Sequence, residues 1–280
     1  MTKLAAQIIC GWLLASSGIQ IYTLPTLGGT AILPPIISLA ITIFAVVLVM
    51  NAINFIDGLD GLVAGVALIA NGVFFIYSYI LAVNTGQTEY FNLASLISAL
   101  LIGACLGFLP LNFHPAKLFM GDAGALLVGL LMAASAISVT GSVDIQNWGG
   151  RTLLPAFIPI LLPFAVLVVP LLDFGLAVVR RLRAGKSPFA ADRLHLHHRL
   201  MDMGHTHLQS VLIFYGWTAV VAFGCLSFMA FPWPLATTLI VAGVVFCSLV
   251  TFGPLRKRFR VTPVASTPDA PAAHEKDLAL

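Results

Sequence analysis

The segment NAINFIDGLDG places four polar residues, Asn51, Asn54, Asp57 and Asp60, at a strict three-residue spacing. Residues three apart stay near one face of a helix, so these side chains form one polar stripe if the preceding helix continues through them. Hard carboxylate oxygens suit Mg²⁺, and such a stripe can face one common ligand. The alternative interpretation is a capped turn, in which Asn, Asp and Gly are expected without any ligand.

A fifth polar position is Asp122, which stands between small residues in FMGDAG at the start of a predicted helix. Small neighbours allow a backbone and an anion to come close, and the first turn of a helix offers free N–H groups. A structural N-cap needs the same aspartate, so the motif alone favours neither interpretation. His114 and Lys117 precede it and can serve a phosphate, although a lysine at a membrane edge often only extends its amine to water.

The most basic segment, Arg180–Leu200, carries a second kind of chemistry. Arginine and histidine side chains are good donors to phosphate oxygens, so a diphosphate can lie between this segment and the carboxylates. A His-x-His-His cluster also suggests Zn²⁺, but no cysteine accompanies it and its spacing matches no common structural zinc site. The run Arg180–Arg183 is most simply an anchor for anionic lipid headgroups. The candidate phosphate ligands are Arg193, His195, His197 and His198.

The composition shows what must position these residues. Of the 280 residues, 59% are hydrophobic and 9% are charged, and the mean hydropathy is +1.01. Soluble domains have about 25% charged residues, so the chain is a membrane protein. A span needs about 20 apolar residues, and continuous rather than alternating runs exclude a β-barrel. We therefore predict an all-α, polytopic integral membrane helical bundle with about eight transmembrane helices, at Leu4–Tyr22, Ala31–Met50, Leu62–Val83, Phe91–Leu111, Ala123–Thr140, Leu153–Leu172, Leu208–Phe231 and Pro232–Phe252.

Basic residues set the orientation of the predicted bundle. Of the 14 Lys and Arg residues, all but Arg151 fall on one side of the membrane. Because positive charge stays cytoplasmic, both termini and all three polar segments are predicted to face the cytosol. The first run can also be read as a signal peptide, but the number of further apolar runs favours a transmembrane helix.

The chain is predicted to divide into a transmembrane domain, residues 1–260, and a disordered cytoplasmic tail, residues 261–280, which is rich in Pro and Ala. The external connector TLPTLGGTAILPP is expected to form a small hairpin around Gly28 and Gly29. The net charge of +3 comes mostly from the predicted cytoplasmic loops, so no nucleic-acid partner is expected.

Carboxylates suited to Mg²⁺, phosphate-binding cations and an adjacent membrane together indicate phosphoryl transfer between a soluble nucleotide and a lipid. Such catalysis consists mostly of positioning and charge stabilisation, with a metal bridging the phosphates. A transporter also carries ionisable residues. Its charges are expected within the spans near the midplane, whereas the aspartates of this chain fall at the predicted helix ends.

The three polar segments carry a resemblance to a known family. NAINFIDGLDGL, NFHPAKLFMGDAG and RRLRAGKSPFAADRLHLHHRL are similar to the signature segments of the polyprenyl-phosphate N-acetylhexosamine-1-phosphate transferases, glycosyltransferase family 4. The last segment resembles the undecaprenyl-phosphate GlcNAc-1-phosphate transferase branch more than the phospho-MurNAc-pentapeptide translocase branch. The similarity extends to about Phe259 with the segments in the expected order, and is far more specific than one short motif.

The resemblance implies a Mg²⁺-dependent enzyme, or one using Mn²⁺ in its place, in the bacterial inner membrane. The implied reaction transfers N-acetylhexosamine 1-phosphate, with GlcNAc favoured, from a UDP-sugar to undecaprenyl phosphate and releases UMP. It would initiate a cell-envelope polysaccharide such as that of lipopolysaccharide. The implied partners are the UDP-N-acetylhexosamine, undecaprenyl phosphate and the lipid bilayer, and a homodimer is an allowed assembly.

The resemblance also assigns roles to matching residues. Asp122 would be a Mg²⁺ ligand, and Asp57 and Asp60 would support the metal and the diphosphate, with Asp57 as a second ligand. Asn51 and Asn54 would line the nucleotide-sugar site. The implied site is completed by Asn112 and Lys117 near the nucleotide and, at the diphosphate or sugar, by Arg193, His195, His197 and His198.

One departure from the family concerns the region ahead of the chain. Family members carry three further helices there, and the loop after the third bears an adjacent aspartate pair thought to act on the lipid phosphate or metal. MTKLAAQIICG matches the sequence just after that pair, and no Asp-Asp dipeptide occurs in the 280 residues. We expect a fragment or a misassigned start. The alternative is a degenerate, non-catalytic relative that pairs with a full-length transferase.

Overall fold

A computed structural model describes residues 2–26, 29–85, 89–140, 171–172, 175–176, 178–183, 185 and 200–252. Helices dominate these residues, and six of the helices there, α2 to α7, are long and apolar enough to cross a membrane. The element order is α1 (Thr2–Ser16), β1 (Thr23–Thr26), β2 (Gly29–Ile32), α2 (Pro35–Ile56), α3 (Leu62–Thr85), α4 (Glu89–Asn112), α5 (Gly121–Thr140), α6 (His207–Ala230) and α7 (Trp233–Phe252).

The observed helices confirm the predicted helical membrane bundle, to which a short two-stranded hairpin is added. Helices α2 to α7 correspond to six of the predicted spans. The predicted span Leu153–Leu172 lies almost entirely outside the described residues, as do the tail 261–280 and the basic positions from Lys186 to Arg199. The count of eight transmembrane helices therefore stays a prediction.

Helix α1 ends at Ser16, so the prediction of one helix from Leu4 to Tyr22 is wrong in its last part. The hydroxyls of Ser16 and Ser17 donate to the carbonyls of Leu13 and Leu14, 2.9 and 2.8 Å away, which caps the last turn. Gly18 then has a φ of 94°, in the left-handed region that commonly ends a helix. Apolar composition alone did not reveal this stop signal.

The segment after α1 forms the expected hairpin. Strands β1 and β2 are antiparallel, with Thr23 opposite Ile32 and Thr26 opposite Gly29. This register leaves residues 27 and 28 as the connection, so the predicted hairpin around Gly28 and Gly29 is confirmed. Ser38 and Thr42 of α2 then hold the chain that leads into the hairpin, through hydrogen bonds to the backbone of Ile21.

Helix α3 lies at the centre of the described bundle. It packs against α4, α5 and α6, while α2 packs against α1 and α5. Its side chains Val66, Ala70, Val73 and Tyr77 are fully buried. Helix α7 packs against α6 and keeps most of its surface uncovered by protein. The arrangement explains why the spans show little amphipathicity, since the helix surfaces that face lipid are as apolar as the core.

The contact between α3 and α6 requires that residue 65 be a glycine, which has no side chain. The hydroxyl of Tyr215 donates to the carbonyl of Gly61, and the ring lies directly over Gly65. A Cβ at Gly65 would stand 2.0 Å from Cζ of Tyr215, which is far inside van der Waals contact. Glycine at position 65 therefore allows Tyr215 to reach the turn that precedes α3.

We expect Gly65→Ala to displace Tyr215 and to destabilise the protein by about 1–3 kcal/mol, the usual cost of overpacking. The thermal midpoint in detergent measures this loss. Gly72→Ala in the same helix is the matched control, because a Cβ there meets nothing within 4 Å. Adding Tyr215→Ala to Gly65→Ala should remove the clash. A Gly65→Ala protein that unfolds at the same temperature as the Gly72→Ala protein would contradict the expected collision.

Candidate active site

The polar residues gather at one end of the bundle, where α2 and α4 end and α1, α3, α5 and α6 begin. They form two groups of side chains. The carboxylate cluster consists of Lys3, Asn54, Asp57 and Asp122, and the histidine cluster consists of Asp60, His114 and His207. We call this region the polar end. Residues 119 and 147 positions apart in the sequence meet here, Lys3 with Asp122 and Asp60 with His207.

Helix α2 continues beyond the predicted span to Ile56, and this extension positions the first part of the polar stripe. Asn51 and Asn54 lie on its last turns, and Asp57 is its C-cap residue. Asp60 lies in the turn that follows and faces His114 rather than Asp122. The prediction of a single four-residue stripe is therefore wrong for Asp60, because the Asp-Gly pair at residues 57–58 ends the helix before it.

Asp122 is the centre of the carboxylate cluster. Its Oδ2 accepts a hydrogen bond from the ammonium of Lys3 at 3.0 Å, and its Oδ1 accepts one from the amide of Asn54 at 2.9 Å. Lys3 also donates to Oδ1 of Asn54 at 2.9 Å, which closes a triangle between α1, α2 and α5. The Asp122 side chain is 72% exposed, so its carboxylate remains open to a ligand. It also lies in the first turn of α5, where the helix dipole favours an anion.

The environment of Asp57 disfavours its charge. Partial burial, and then the negative charge of Asp122, raise the pKa of Asp57 above its ordinary value. Two neighbouring carboxylates that repel each other are a typical binding site for a divalent cation, because the cation relieves the repulsion. The geometry therefore brings together the two carboxylates that the sequence predicts as metal ligands.

The raised pKa has a consequence for stability. Because folding favours protonated Asp57, its ionisation costs stability as the pH rises above the ordinary value of 3.8, and Asp57→Asn removes that cost. We expect Asp57→Asn to unfold at a higher temperature than the wild type at pH 7 without metal, with the difference vanishing below the ordinary value. Thermal unfolding at both pH values measures this effect. The exposed Asp202 serves for the control, Asp202→Asn, and a lower midpoint for Asp57→Asn at pH 7 would refute the explanation.

Asn51 lies one turn deeper in the bundle than Asn54. Its amide exchanges two hydrogen bonds with the amide of Gln7 on α1, at 2.9 and 3.3 Å, and also donates to the carbonyl of Val47 at 2.7 Å. These contacts join α1 to α2 directly beneath the carboxylate cluster. The structure thus places Asn51 beside the candidate site, with its side chain engaged between the two helices.

The histidine cluster lies on the other side of the turn. Nδ1 of His114 is 2.9 Å from Oδ2 of Asp60, and the backbone N–H of Ala116 donates to the same oxygen at 3.1 Å. The hydrogen bond with His114 is the main cause that lowers the pKa of Asp60. The ring of His207 stacks on that of His114 with centroids 4.3 Å apart. The carboxylate of Asp60 therefore contacts His114, which stacks in turn on His207.

Asn112 fixes the turn between these clusters. Its side-chain oxygen accepts from the N–H of Gly61 at 3.0 Å, and its amide donates to the carbonyl of Leu118 at 2.8 Å. Asn112 therefore joins the turn after α2 to the segment between α4 and α5. Lys117 lies in the latter segment and is exposed at the polar end. Four predicted ligands, Arg193, His195, His197 and His198, lie outside the described residues.

Sequence reasoning missed two residues at the centre of the polar end. Lys3 is the one charged residue ahead of Asp57, yet from the sequence alone it indicates only the orientation of the chain. His207 stands just before a long apolar run, in the sequence GHTH, which by itself predicts no role in a site. Both signals place a polar side chain at a predicted helix start. Neither shows which partner the side chain meets across the bundle.

Comparison with known proteins agrees with this architecture. Residues 1–140 match the model of the family described as glycosyl transferase family 4. The decaprenyl-phosphate N-acetylglucosaminephosphotransferase of Mycolicibacterium smegmatis is 41% identical over 92% of this chain and 64% of its own length. Its counterpart in Mycobacterium tuberculosis is 42% identical over 92% of this chain and 65% of its own length.

A more distant relative has a similar description. The probable undecaprenyl-phosphate N-acetylglucosaminyl 1-phosphate transferase of Bacillus subtilis is 38% identical over 62% of this chain and 44% of its own length. The chain therefore spans less than two thirds of the length of these relatives. The family match covers half of the chain, and identity to the mycobacterial relatives extends over most of it. The chain belongs to glycosyl transferase family 4.

Proposed function

We propose that this protein transfers N-acetylhexosamine 1-phosphate, with GlcNAc favoured, from a UDP-sugar to a polyprenyl phosphate and releases UMP. The carboxylate cluster is the observation that carries the proposal. It places Asp122, Asn54 and Lys3 in mutual contact at the ends of three helices, where a soluble nucleotide and a lipid headgroup can both arrive. The relatives are named as transferases that act on decaprenyl or undecaprenyl phosphate, which supports the same acceptor class.

The proposed reaction exchanges one phosphoanhydride (P–O–P) bond for another. An oxygen of the lipid phosphate attacks the phosphorus that carries the sugar and forms a new P–O bond. The bond from that phosphorus to the bridging oxygen breaks, and UMP leaves with the oxygen. The products are a polyprenyl diphosphate sugar and UMP, with no oxidant or reductant. Positioning and charge stabilisation are the main contributions a protein makes to such a transfer.

The residues present fit a Mg²⁺ ion. Asp57 and Asp122 supply hard carboxylate oxygens, and a divalent cation beside them would offset both the partial burial and the charge of Asp122 that raise the pKa of Asp57. In the proposal these two residues hold the ion, and Mn²⁺ can take its place. Bound there, the ion would supply charge neutralisation for the diphosphate.

The other members of the carboxylate cluster have proposed roles of their own. Asn54 orients Asp122 by donating to its Oδ1, and Lys3 keeps a positive charge beside the two carboxylates. An ammonium at this position can turn to a phosphate oxygen when the diphosphate enters, because its side chain is 45% exposed. Lys3 would then share with the metal the task of holding the diphosphate.

The nucleotide is proposed to lie on the turn after α2, between Asp60 and Asn112. Asn51 and Lys117 are proposed to line the nucleotide-sugar site as well, and the diphosphate or sugar is proposed to reach the basic segment. That segment contributes Arg193, His195, His197 and His198. In this arrangement the polar end faces the cytosol, where UDP-sugars are made, and the acceptor is undecaprenyl phosphate or a longer polyprenyl phosphate.

Helix-end placement favours transfer over transport. Asp57 caps α2, and Asp122 lies in the first turn of α5. A transporter is expected to carry such charges near the middle of its spans. Among the described residues, the aspartates of the candidate site lie at helix ends or in the turn between helices, and none lies in the middle of a span.

The test is UMP release by the purified protein with UDP-GlcNAc, undecaprenyl phosphate and Mg²⁺. Release that requires both the lipid and the metal is the expected result. UDP-GlcNAc binding without release, even at high lipid concentration, would contradict the proposal and favour a non-catalytic relative. Replacing UDP-GlcNAc with UDP-GalNAc in the same assay identifies the sugar.

A further inference from the structure

The histidine cluster brings one carboxylate and two imidazoles together from three separate parts of the chain. One ligand atom from each of Asp60, His114 and His207 lies within 4.8 Å of the other two. The proposed transfer gives no role to His114 or His207. We propose that these three residues bind a transition-metal ion of the Zn²⁺ class, at a site separate from the Mg²⁺ ligands Asp57 and Asp122.

The distances are close to those of a metal site. Ligand atoms around a tetrahedral Zn²⁺ lie about 3.4 Å apart, because Zn–N and Zn–O bonds are about 2.0–2.2 Å long. Nδ1 of His114 and Oδ2 of Asp60, at 2.9 Å, need only separate slightly to admit an ion. Because all three ligand atoms lie within 4.8 Å of one another, no pair needs to close by more than about 1.4 Å to reach that tetrahedral spacing. His114 can supply part of this movement, since its side chain is 47% exposed.

The His207 ring is held loosely for a side chain in this position. Its Nε2 accepts from the N–H of Asp60 over a long 3.4 Å. Its Nδ1 is buried and has no hydrogen-bond partner among the described residues. A small rotation of this ring therefore breaks no strong hydrogen bond. Coordination to a metal would give it a far stronger partner than the stacked ring of His114.

Asp60, in contrast, is held firmly. The N–H of Ala116 donates to its carboxylate. The next residue, Gly61, is fixed at both its backbone polar groups, by Asn112 at the N–H and by Tyr215 at the carbonyl. Supporting hydrogen bonds of this kind fix ligands around protein metal ions. The oxygen ligand is thus already oriented, and the two imidazoles need only adjust to it.

The donor set selects the metal. Imidazole nitrogens favour Zn²⁺, Co²⁺, Ni²⁺ and Cu²⁺, whereas Mg²⁺ prefers oxygen ligands and water. Two nitrogens and one oxygen match the first group, and the all-oxygen pair Asp57 and Asp122 matches the second. Three protein ligands also leave a fourth position of the tetrahedron to water or a phosphate oxygen. A metal here would join the turn after α2, the segment before α5 and the start of α6.

Cobalt is a suitable probe because four-coordinate Co²⁺ absorbs visible light much more strongly than the hydrated ion. We expect the purified protein to bind one equivalent of Co²⁺ with this spectrum, and Zn²⁺ to displace it while excess Mg²⁺ does not. His114→Ala and His207→Ala should each weaken binding by more than about tenfold, since even supporting partners of metal ligands are worth 10–100-fold. Thermal unfolding of each variant shows whether the fold is retained.

Two further variants identify the ligands. His274→Ala changes one histidine in the C-terminal segment and should leave Co²⁺ binding unchanged. A triple variant with alanine at His195, His197 and His198 should also retain the signal. Loss of the signal in the triple variant with retention in His114→Ala would assign the metal to the His-x-His-His motif and overturn the proposal. Absence of any four-coordinate Co²⁺ spectrum would leave Asp60 and His114 as an ion pair only, and would equally overturn it.

Discussion

Asp122→Asn should reduce the rate of UMP release at least about a hundredfold, because residues that merely support a metal ligand are already worth 10–100-fold. The substitution keeps the size and shape of the side chain and removes its negative charge. The cluster then contains Lys3 with a single carboxylate, Asp57, and its affinity for a divalent cation falls. The initial rate at saturating UDP-GlcNAc and polyprenyl phosphate, with Mg²⁺ at the concentration that half-saturates the wild type, measures the effect.

Asp202→Asn is the matched control for this experiment, since it makes the same chemical change at an exposed position outside both clusters. Its rate should equal that of the wild type. Raising the Mg²⁺ concentration should recover part of the lost rate in Asp122→Asn if the lost function is metal binding. A rate above one tenth of the wild type in Asp122→Asn would show that its carboxylate does not hold the metal.

Gly129→Ala should cause a larger loss of stability than Gly65→Ala, because the added Cβ would meet backbone rather than a side chain. A Cβ at Gly129 of α5 would stand 2.7 Å from Cα of Met50 and 3.2 Å from the carbonyl oxygen of Val49, both in the backbone of α2. A backbone cannot rotate away as a side chain can, so the two helices must separate. We expect a cost of about 3 kcal/mol, at the upper end of the usual range for overpacking.

Separation of these helices also affects the site. Helix α2 carries Asn54 and α5 carries Asp122, so the 2.9 Å hydrogen bond between them is expected to lengthen. The Gly129→Ala protein should therefore show a lower thermal midpoint. It should also need a higher Mg²⁺ concentration for half-maximal UMP release. Gly103→Ala in α4 is the matched control, because a Cβ there meets nothing within 4 Å. Equal midpoints for the two variants would show that the helices yield without cost.

The sequence was sufficient to predict the membrane bundle and three members of the carboxylate cluster. Asn54, Asp57 and Asp122 were recognisable because polar residues at the ends of long apolar runs are expensive and therefore conspicuous. The lengths of the apolar runs predicted which segments form transmembrane helices, since a span needs about 20 apolar residues. The stop after Ser16 was missed because Ser and Gly caps act through local hydrogen bonds that hydropathy does not detect.

Contacts between distant residues were beyond prediction from the sequence. Lys3 meets Asp122 across 119 positions, and His207 meets Asp60 across 147. Such pairs depend on which helices are neighbours and on their rotation about their axes. Continuous apolar runs contain little information on either, because core-facing and lipid-facing surfaces have the same composition. For the same reason, the sequence could not show that Asp60 and Asp122 belong to different clusters.

The turn at Gly61 has a consequence for ligand binding. Gly61 has a φ of 79°, and both its N–H and its carbonyl are hydrogen-bonded to side chains of other helices. Its torsion angles are thus fixed when the chain folds. A ligand that contacts the neighbouring aspartates then restricts few additional backbone rotations, so little conformational entropy is lost at the moment of binding. More of the contact energy remains available as affinity.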